Sequence, residues 1–183
     1  MMTSRGLLLV ISGPSGVGKG TVCGALISRN PGIHYSVSAT TRPMRPGDEE
    51  GKQYFFKTRE EFERMIQEDQ LLEYANVHGN FYGTPRAAVC EARDRGEDII
   101  LEIDPQGALQ IKEKFPDGVF IFISPPSLEE LRHRLVHRGT ESPEVVETRM
   151  TNAQGELEQA DKYDYIVLND NIPTAVARLE EII

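Results

Sequence analysis

The sequence predicts an α/β fold of three layers, a core parallel sheet of about five strands covered by helices on both faces. Three observations support it. Apolar segments of strand length recur at 7–11, 99–103, 119–123 and 165–168. Each is followed by a turn signal and a helix-like pattern, the alternation expected of strands joined by right-handed crossovers. Between the second and third sheet strands the pattern changes to short strands, which predicts a small β-rich insertion.

Taken in order, the first strand runs into a glycine-rich turn, and a helix follows from about Thr21 to Arg29 with Val22, Ala25 and Leu26 on one face. The weaker segment 35–39 adds a fifth strand. In the insertion, 54–56, 71–78 and 81–82 read as short strands around a Gly79-Asn80 turn. A helix starts there at Thr58, whose hydroxyl caps while Glu61 reaches back, with Phe62, Met65 and Ile66 as its inner stripe. Another starts with Thr84 and Pro85 and ends near Gly96. Ser127 and Glu130 repeat the capping logic before Leu128, Leu131 and Leu135, and a long helix begins at Pro143.

Length and composition exclude several classes. A chain of 183 residues forms one compact domain with a substantial core, and 39% hydrophobic with 27% charged content is globular rather than disordered. No apolar run approaches the roughly 18 residues that span a bilayer, and the short apolar start reads as a buried strand rather than a signal peptide. Two cysteines, Cys23 and Cys90, form no CxxC or disulfide framework, so a reducing, cytoplasmic setting is expected. Twenty basic against 29 acidic residues give a net charge of −9, which opposes long-range attraction to nucleic acid or an anionic membrane. An anionic ligand therefore needs a local arginine cluster.

The strongest local signal is Gly13, Pro14, Ser15, Gly16, Val17, Gly18, Lys19, Gly20 and Thr21, which follows a strand and opens a helix as a Walker A loop does. Glycines let successive N–H groups turn inward and let phosphate oxygens approach without an obstructing Cβ. The positive end of the following helix adds to that field. Lys19 is the leading catalytic residue, a mobile charge that follows the β and γ phosphates. The hydroxyl that usually follows the lysine is displaced to Thr21 by Gly20, so magnesium is held largely by water and the ATP phosphates.

Downstream, Arg42 and Arg45 share a Pro/Gly-bounded loop, where they either converge on one anion or stay solvated. His133 and His137 have the spacing of a zinc pair but no third ligand nearby, so a surface role is expected and no metal site is assigned to them. Both cysteines sit in helical patterns as packed thiols.

From the phosphate loop through SVSATTRPMRPGDEEGKQYFF, LLEYANVHGNFYGTP, ILEIDPQGA, ISPPSLEELRHRL, HRGTE and YIVLND, nearly the whole chain resembles guanylate kinases. The resemblance implies the P-loop kinase fold, with a core about 1–34, 97–126 and 160–183, a GMP-binding region about 35–96 and a mobile lid about 134–155. It implies transfer of a phosphoryl group from ATP to GMP, with dGMP a further acceptor, Mg2+ as cofactor, and neither nucleic acid nor membrane as partner. Protein partners stay open. The same resemblance assigns the GMP phosphate to Arg42, Arg45, Tyr54 and Tyr82, and the guanine to Ser38, Glu73, Thr84 and Glu102. Guanine offers N1–H and an exocyclic amine as donors, which suit a carboxylate such as Glu73, whereas adenine offers a bare lone pair. Asp104 orients the water shell of magnesium, and Glu102 and Asp104 alternate onto one face at a strand's carboxyl end. Arg134, Arg138 and Arg149 fall in the lid, with Arg138 and Arg149 approaching the transferring group; for Arg134 a surface salt bridge is equally expected. Asn169 either contacts the ATP base or caps a turn. Two rival readings stay in view: a noncatalytic binding module of similar architecture, and a kinase for another small phosphate such as AMP.

Overall fold

The computed structural model describes residues 4–14, 16–139 and 141–183. Its centre is a five-stranded sheet, all parallel, in the order β2-β7-β1-β8-β9: β1 is Leu8–Ser12, β2 Ile33–Tyr35, β7 Asp98–Glu102, β8 Val119–Ser124 and β9 Tyr165–Leu168. β1 lies at the middle, with Val10 beside Leu101 on one flank and Phe120 on the other. Its residues alternate between two cores because successive side chains point to opposite faces. Leu9 and Ile11 pack with helix α1 (Lys19–Arg29) and helix α7 (Ile172–Ile182). Leu8 and Val10 pack on the other face with α3 (Arg86–Asp94) and α4 (Pro105–Lys114). A strand apolar from Leu8 to Ile11 is thus apolar for two different neighbours.

The insertion has its own four-stranded sheet, order β4-β3-β6-β5, from β3 (Ser38–Thr40), β4 (Tyr54–Phe56), β5 (Leu71–Val77) and β6 (Asn80–Pro85). Helix α2 (Arg59–Gln67) closes it, with the capping box between Thr58 and Glu61 present and Phe62 fully buried against Ala39 and Leu71. Burying a phenyl ring of that size contributes roughly 2–3 kcal/mol. The remaining helices, α5 (Leu128–His137) and α6 (Pro143–Leu157), share a separate apolar contact through Leu131, Leu135, Val146 and Met150. Ser127 and Ser142 cap them, each accepting a hydrogen bond from the third amide beyond it.

Four local expectations change. The segment 35–39 is not one strand: Tyr35 ends β2 in the core sheet and Ser38 begins β3 in the insertion sheet. The amide of Ser36, at that crossing, still bonds the carbonyl of Ile100. The β5–β6 turn centres on His78 and Gly79, not on Gly79-Asn80, because Val77 pairs with Asn80 and both central residues have positive φ, 52° and 84°. Thr84 and Pro85 end β6 rather than start α3; the Thr84 hydroxyl is drawn away from capping by a buried carboxylate. Asp104 lies beyond β7, at the N-cap of α4, so Glu102 and Asp104 do not share a strand.

Candidate active site

The phosphate loop is shaped by what surrounds it. Gly13, Gly16 and Gly18 have φ of 153°, 84° and 94°, conformations that side chains rarely adopt. Space is as restrictive as φ: a Cβ on Gly13 would stand 2.4 Å from the Ile123 carbonyl oxygen, and one on Gly16 2.6 Å from Leu135. Pro14 is buried beside Gly13, and Val17 sinks into the core while its carbonyl is held from outside. That carbonyl accepts from Asn169 Nδ2 at 2.8 Å and Arg134 at 3.3 Å. Lys19, first residue of α1, folds back to donate to the Gly13 carbonyl at 2.9 Å and stands 3.6 Å from Asp104. Gly20 and Thr21 continue α1 on its exposed side. A Cβ at Gly20 would come within 3.4 Å of a Glu102 oxygen, so glycine leaves that carboxylate unobstructed. Ser15 lies outside the described residues.

Facing the loop, a cleft of about 1190 Å³ runs between the core sheet, the insertion and α6. It brings together Lys19, Ser38, Arg42, Arg45, Tyr54, Glu73, Tyr82, Glu102, Asp104, Arg138 and Arg149, residues spread over most of the chain. Thr84 stands just behind, fully buried, its hydroxyl donating to Glu73 Oε1 at 2.8 Å. Glu73 is only 3% exposed, and burial pushes its carboxyl up to about 7 against the opposing pull of the Thr84 bond. A register shift between Leu71 and Glu73 re-aims the strand there: Leu71 packs in the insertion, Leu72 in the main core, and Glu73 faces the cleft.

Arg42 is held on every side. Its guanidinium bonds Asp48 at 3.1 Å and the Pro43 carbonyl at 3.0 Å, and lies 5.2 Å from the Tyr54 ring and 5.6 Å from that of Phe56. Tyr54 and Tyr82 meet edge to face at 5.6 Å, and burial raises the Tyr54 hydroxyl to about 12, so it stays a neutral donor. Asp48 also accepts from the Arg45 amide, which holds its carboxyl below the usual range together with Arg42. Pro46 and Gly47, the latter at φ 91°, make the type II turn that brings Arg45 and Asp48 together. Glu102 accepts from the Tyr35 hydroxyl at 2.6 Å.

Sequence reasoning passed over Asp48 and Glu156. The Arg-Pro-Gly-Asp turn signature was the available signal for the first. Glu156, on α6, lines the cleft, and burial raises its carboxyl to about 7. Arg149 pairs with Glu141 at 2.6 Å, and Arg138 is exposed at the end of α5. Arg134 points away from the cleft: besides Val17 it bonds the Asn169 carbonyl at 3.0 Å and Glu130 at 3.2 Å. It is therefore neither a lone surface ion pair nor a cleft arginine, because two inward carbonyls claim its fork. Asn169 likewise turns its amide to the loop instead of capping a turn, and its Oδ1 is buried without a partner. Among the described residues, no group of three His, Cys, Asp or Glu side chains could hold a metal, so His133 and His137 remain an exposed pair.

The guanylate kinase family model matches residues 5–183. The chain belongs to the guanylate kinase family. Guanylate kinases of Desulfitobacterium hafniense and Halalkalibacterium halodurans are 55% and 56% identical to it, each over the whole chain and over 92% and 90% of their own lengths. The crystal structure of guanylate kinase from Anaplasma phagocytophilum is similar at a TM-score of 0.83 and 38% identity, covering 99% of this chain and 86% of that one. Shikimate kinase from Bacteroides thetaiotaomicron, 14% identical, has a TM-score of 0.51 over 96% of this chain and 97% of its own, a likeness of fold alone. The match to these guanylate kinases covers the segments that form the phosphate loop, the insertion and helices α5 and α6 in this chain.

Proposed function

We propose that this chain catalyses direct in-line transfer of the γ-phosphoryl group of ATP to GMP, giving ADP and GDP. The observation that carries the reading is the pairing of Lys19 with the glycine loop on one side of a single cleft and the buried Glu73–Thr84 pair on the other. ATP lies along the loop, its phosphates facing main-chain N–H groups and Lys19. Arg42, Arg45, Tyr54 and Tyr82 take the acceptor phosphate, and the prior stacking of Arg42 means little of its freedom is lost on binding. Glu73 accepts from guanine N1–H and the exocyclic amine, with Thr84 fixing one carboxylate oxygen and Ser38 and Glu102 lining the same pocket. Asn169 holds the phosphate loop by the Val17 carbonyl, at the end of the loop away from the acceptor site. The core is about 1–34, 97–126 and 160–183, the GMP-binding region about 35–96, and the lid about 134–155, carrying Arg138 and Arg149 toward the transferring group.

A general base is unnecessary, since a phosphate monoester with second pKa near ~6 is mostly ionised at neutral pH. Rate comes from alignment and from fixed positive charge around the transferring group. The oxygen donors near Lys19 suit Mg2+ carried in with ATP: Asp104 would orient its waters, and with Gly20 after the lysine most ligands come from phosphate and water. Bound with ATP, Mg2+ would supply charge neutralisation on the phosphates. A setting in the cytoplasm accords with the reduced cysteines, Cys23 buried and Cys90 half-buried.

A coupled ADP-release assay across GMP, dGMP, AMP, CMP and UMP tests the reading. GMP is the best acceptor, dGMP is used, and AMP falls behind by a factor of about 100 or more in kcat/KM. Equal use of AMP and GMP would remove the guanine assignment, and no release with any acceptor would return the chain to the binding-module reading.

A further inference from the structure

We infer that helix α4 sets the position of the carboxylate that reads the acceptor base, with Gly107 and Gln110 as the positioning residues. The inference rests on the reading of Glu73 as the guanine acceptor.

β5 is an outer strand of the insertion sheet, so the edge away from β6 has no strand partner. Helix α4 covers that edge with side chains. Gln110 acts as a substitute for a neighbouring strand, accepting from the Tyr74 amide at 3.3 Å and donating to the Tyr74 carbonyl at 2.9 Å. Lys114 donates to the Leu72 carbonyl. Both chain neighbours of Glu73 are therefore tied to α4. Residues 107, 110 and 114 fall on one helical stripe, and the first of them faces Glu73 itself. A Cβ on Gly107 would stand 2.3 Å from Glu73 Oε2 and 2.9 Å from its carboxyl carbon.

Backbone conformation does not require this glycine, because its φ lies outside the left-handed range. Glycine is also the weaker helix former; of the other helical glycines, Gly24 and Gly155 have no atom within 4 Å of an added Cβ, and Gly20 meets a Glu102 oxygen only at 3.4 Å. What demands glycine at 107 is the carboxylate. The clash would fall on the end of a side chain and not on the main chain, so the fold survives it and the carboxylate shifts. Thr84 holds the other oxygen, and at 3% exposure Glu73 has little room to shift without losing that bond. The same helix begins at Asp104, which pairs with Lys19, so one rigid element spaces the acceptor base from the phosphate loop.

The test compares Gly107→Ala, Gln110→Leu, Glu73→Asp, Glu73→Gln and the double variant Gly107→Ala/Glu73→Asp, with Gly24→Ala reporting the general effect of the exchange in a helix. KM for GMP and for ATP, kcat, and melting by circular dichroism are measured on the full chain. Gly107→Ala raises KM for GMP about tenfold or more, with kcat and KM for ATP within about twofold and no loss of melting temperature. Gln110→Leu raises KM for GMP about threefold or more. Glu73→Asp retracts the carboxylate by one methylene, so the double variant has a KM for GMP at least about fivefold below the product of the two single effects. A Gly107→Ala enzyme with wild-type KM for GMP, or strictly multiplicative effects in the double variant, overturns the inference. If Glu73→Gln raises KM for GMP while Gly107→Ala and Gln110→Leu do not, the inference alone falls. If Glu73→Gln leaves GMP use untouched, the base reading falls and takes the inference with it. Should Gly107→Ala fail to fold, the space argument is wrong about where the clash falls, and a wild-type KM in Gln110→Leu then removes the remaining support.

Discussion

The two sides of the cleft, proposed to take donor and acceptor, are built by different means. The proposed phosphate wall, which Lys19 lines, is backed by main chain: three glycines with positive φ, Gly13 pressed against Ile123 and Gly16 against Leu135, and one carbonyl fixed by Asn169 and Arg134. The proposed acceptor wall is side chain: Arg42 stacked and paired, Tyr54 against Tyr82, Glu73 tied to Thr84, drawn from one loop and strands β4, β5 and β6 of the insertion. A main-chain wall tolerates change at its lining positions poorly, because the backbone itself is the ligand. A side-chain wall fails one contact at a time, and its selectivity is tunable.

The largest expected effect breaks the phosphate wall at its one mobile charge. Lys19→Ala lowers kcat by about a thousandfold with the melting temperature nearly unchanged, since the residue lines a cleft and its partners are one carbonyl, of Gly13, and the half-buried Asp104. Initial rates at saturating ATP and GMP, beside a thermal melt, check it; near-wild-type turnover removes Lys19 from the chemistry.

Glu73→Gln breaks the other wall more gently. Losing a charged acceptor raises KM for GMP by about 10- to 100-fold and narrows discrimination against AMP, while KM for ATP holds. Competition between GMP and AMP in one reaction measures both.

The pH dependence sharpens the contrast. In the free protein burial places the Glu73 carboxyl at about 7, and guanine's two donors need the ionised form. Below pH 7 a proton must leave before guanine binds, so KM for GMP rises as pH falls, toward about tenfold per unit; above 7 it is flat. The GMP phosphate titrates near ~6 as well, so the same sweep on Glu73→Gln isolates the carboxylate. A profile identical in the two enzymes refutes the assignment.

The smallest effect tests the brace behind the loop. Arg134→Ala removes hydrogen bonds to Val17 and Asn169, raising KM for ATP about fivefold and lowering the melting temperature by about 3–6 °C, with KM for GMP unchanged. A change confined to GMP would reverse the assignment of Arg134 to the phosphate wall.

What was legible in the sequence follows the same division. The strand before the loop, the loop glycines and Lys19 are contiguous, so the motif is readable from spacing and strand-to-helix order, although distant Ile123, Leu135, Asn169 and Arg134 fix its shape. Capping at Thr58 and Ser127 is equally local and appears where the residues stand. Reading went astray where a segment serves two sheets, as at 35–39, and where a side chain was claimed by a distant partner. Thr84 looked like a helix start because its spacing to Pro85 fits one; only the fold brings Glu73 beside it. Arg134 carries the same charge as Arg138, one turn away, yet inward carbonyls hold one and solvent surrounds the other.

By itself, then, the chain's order of residues determined the parallel sheet, the phosphate loop and the family, because hydrophobic period, glycine placement and contiguous motifs act over a few residues. Tertiary structure alone decided that Arg134 turns from the cleft, why residue 107 lacks a side chain, and how far Glu73 is buried. Those depend on atoms separated by tens of residues in sequence and a few ångströms in space, and packing against a distant element has no signature in local spacing.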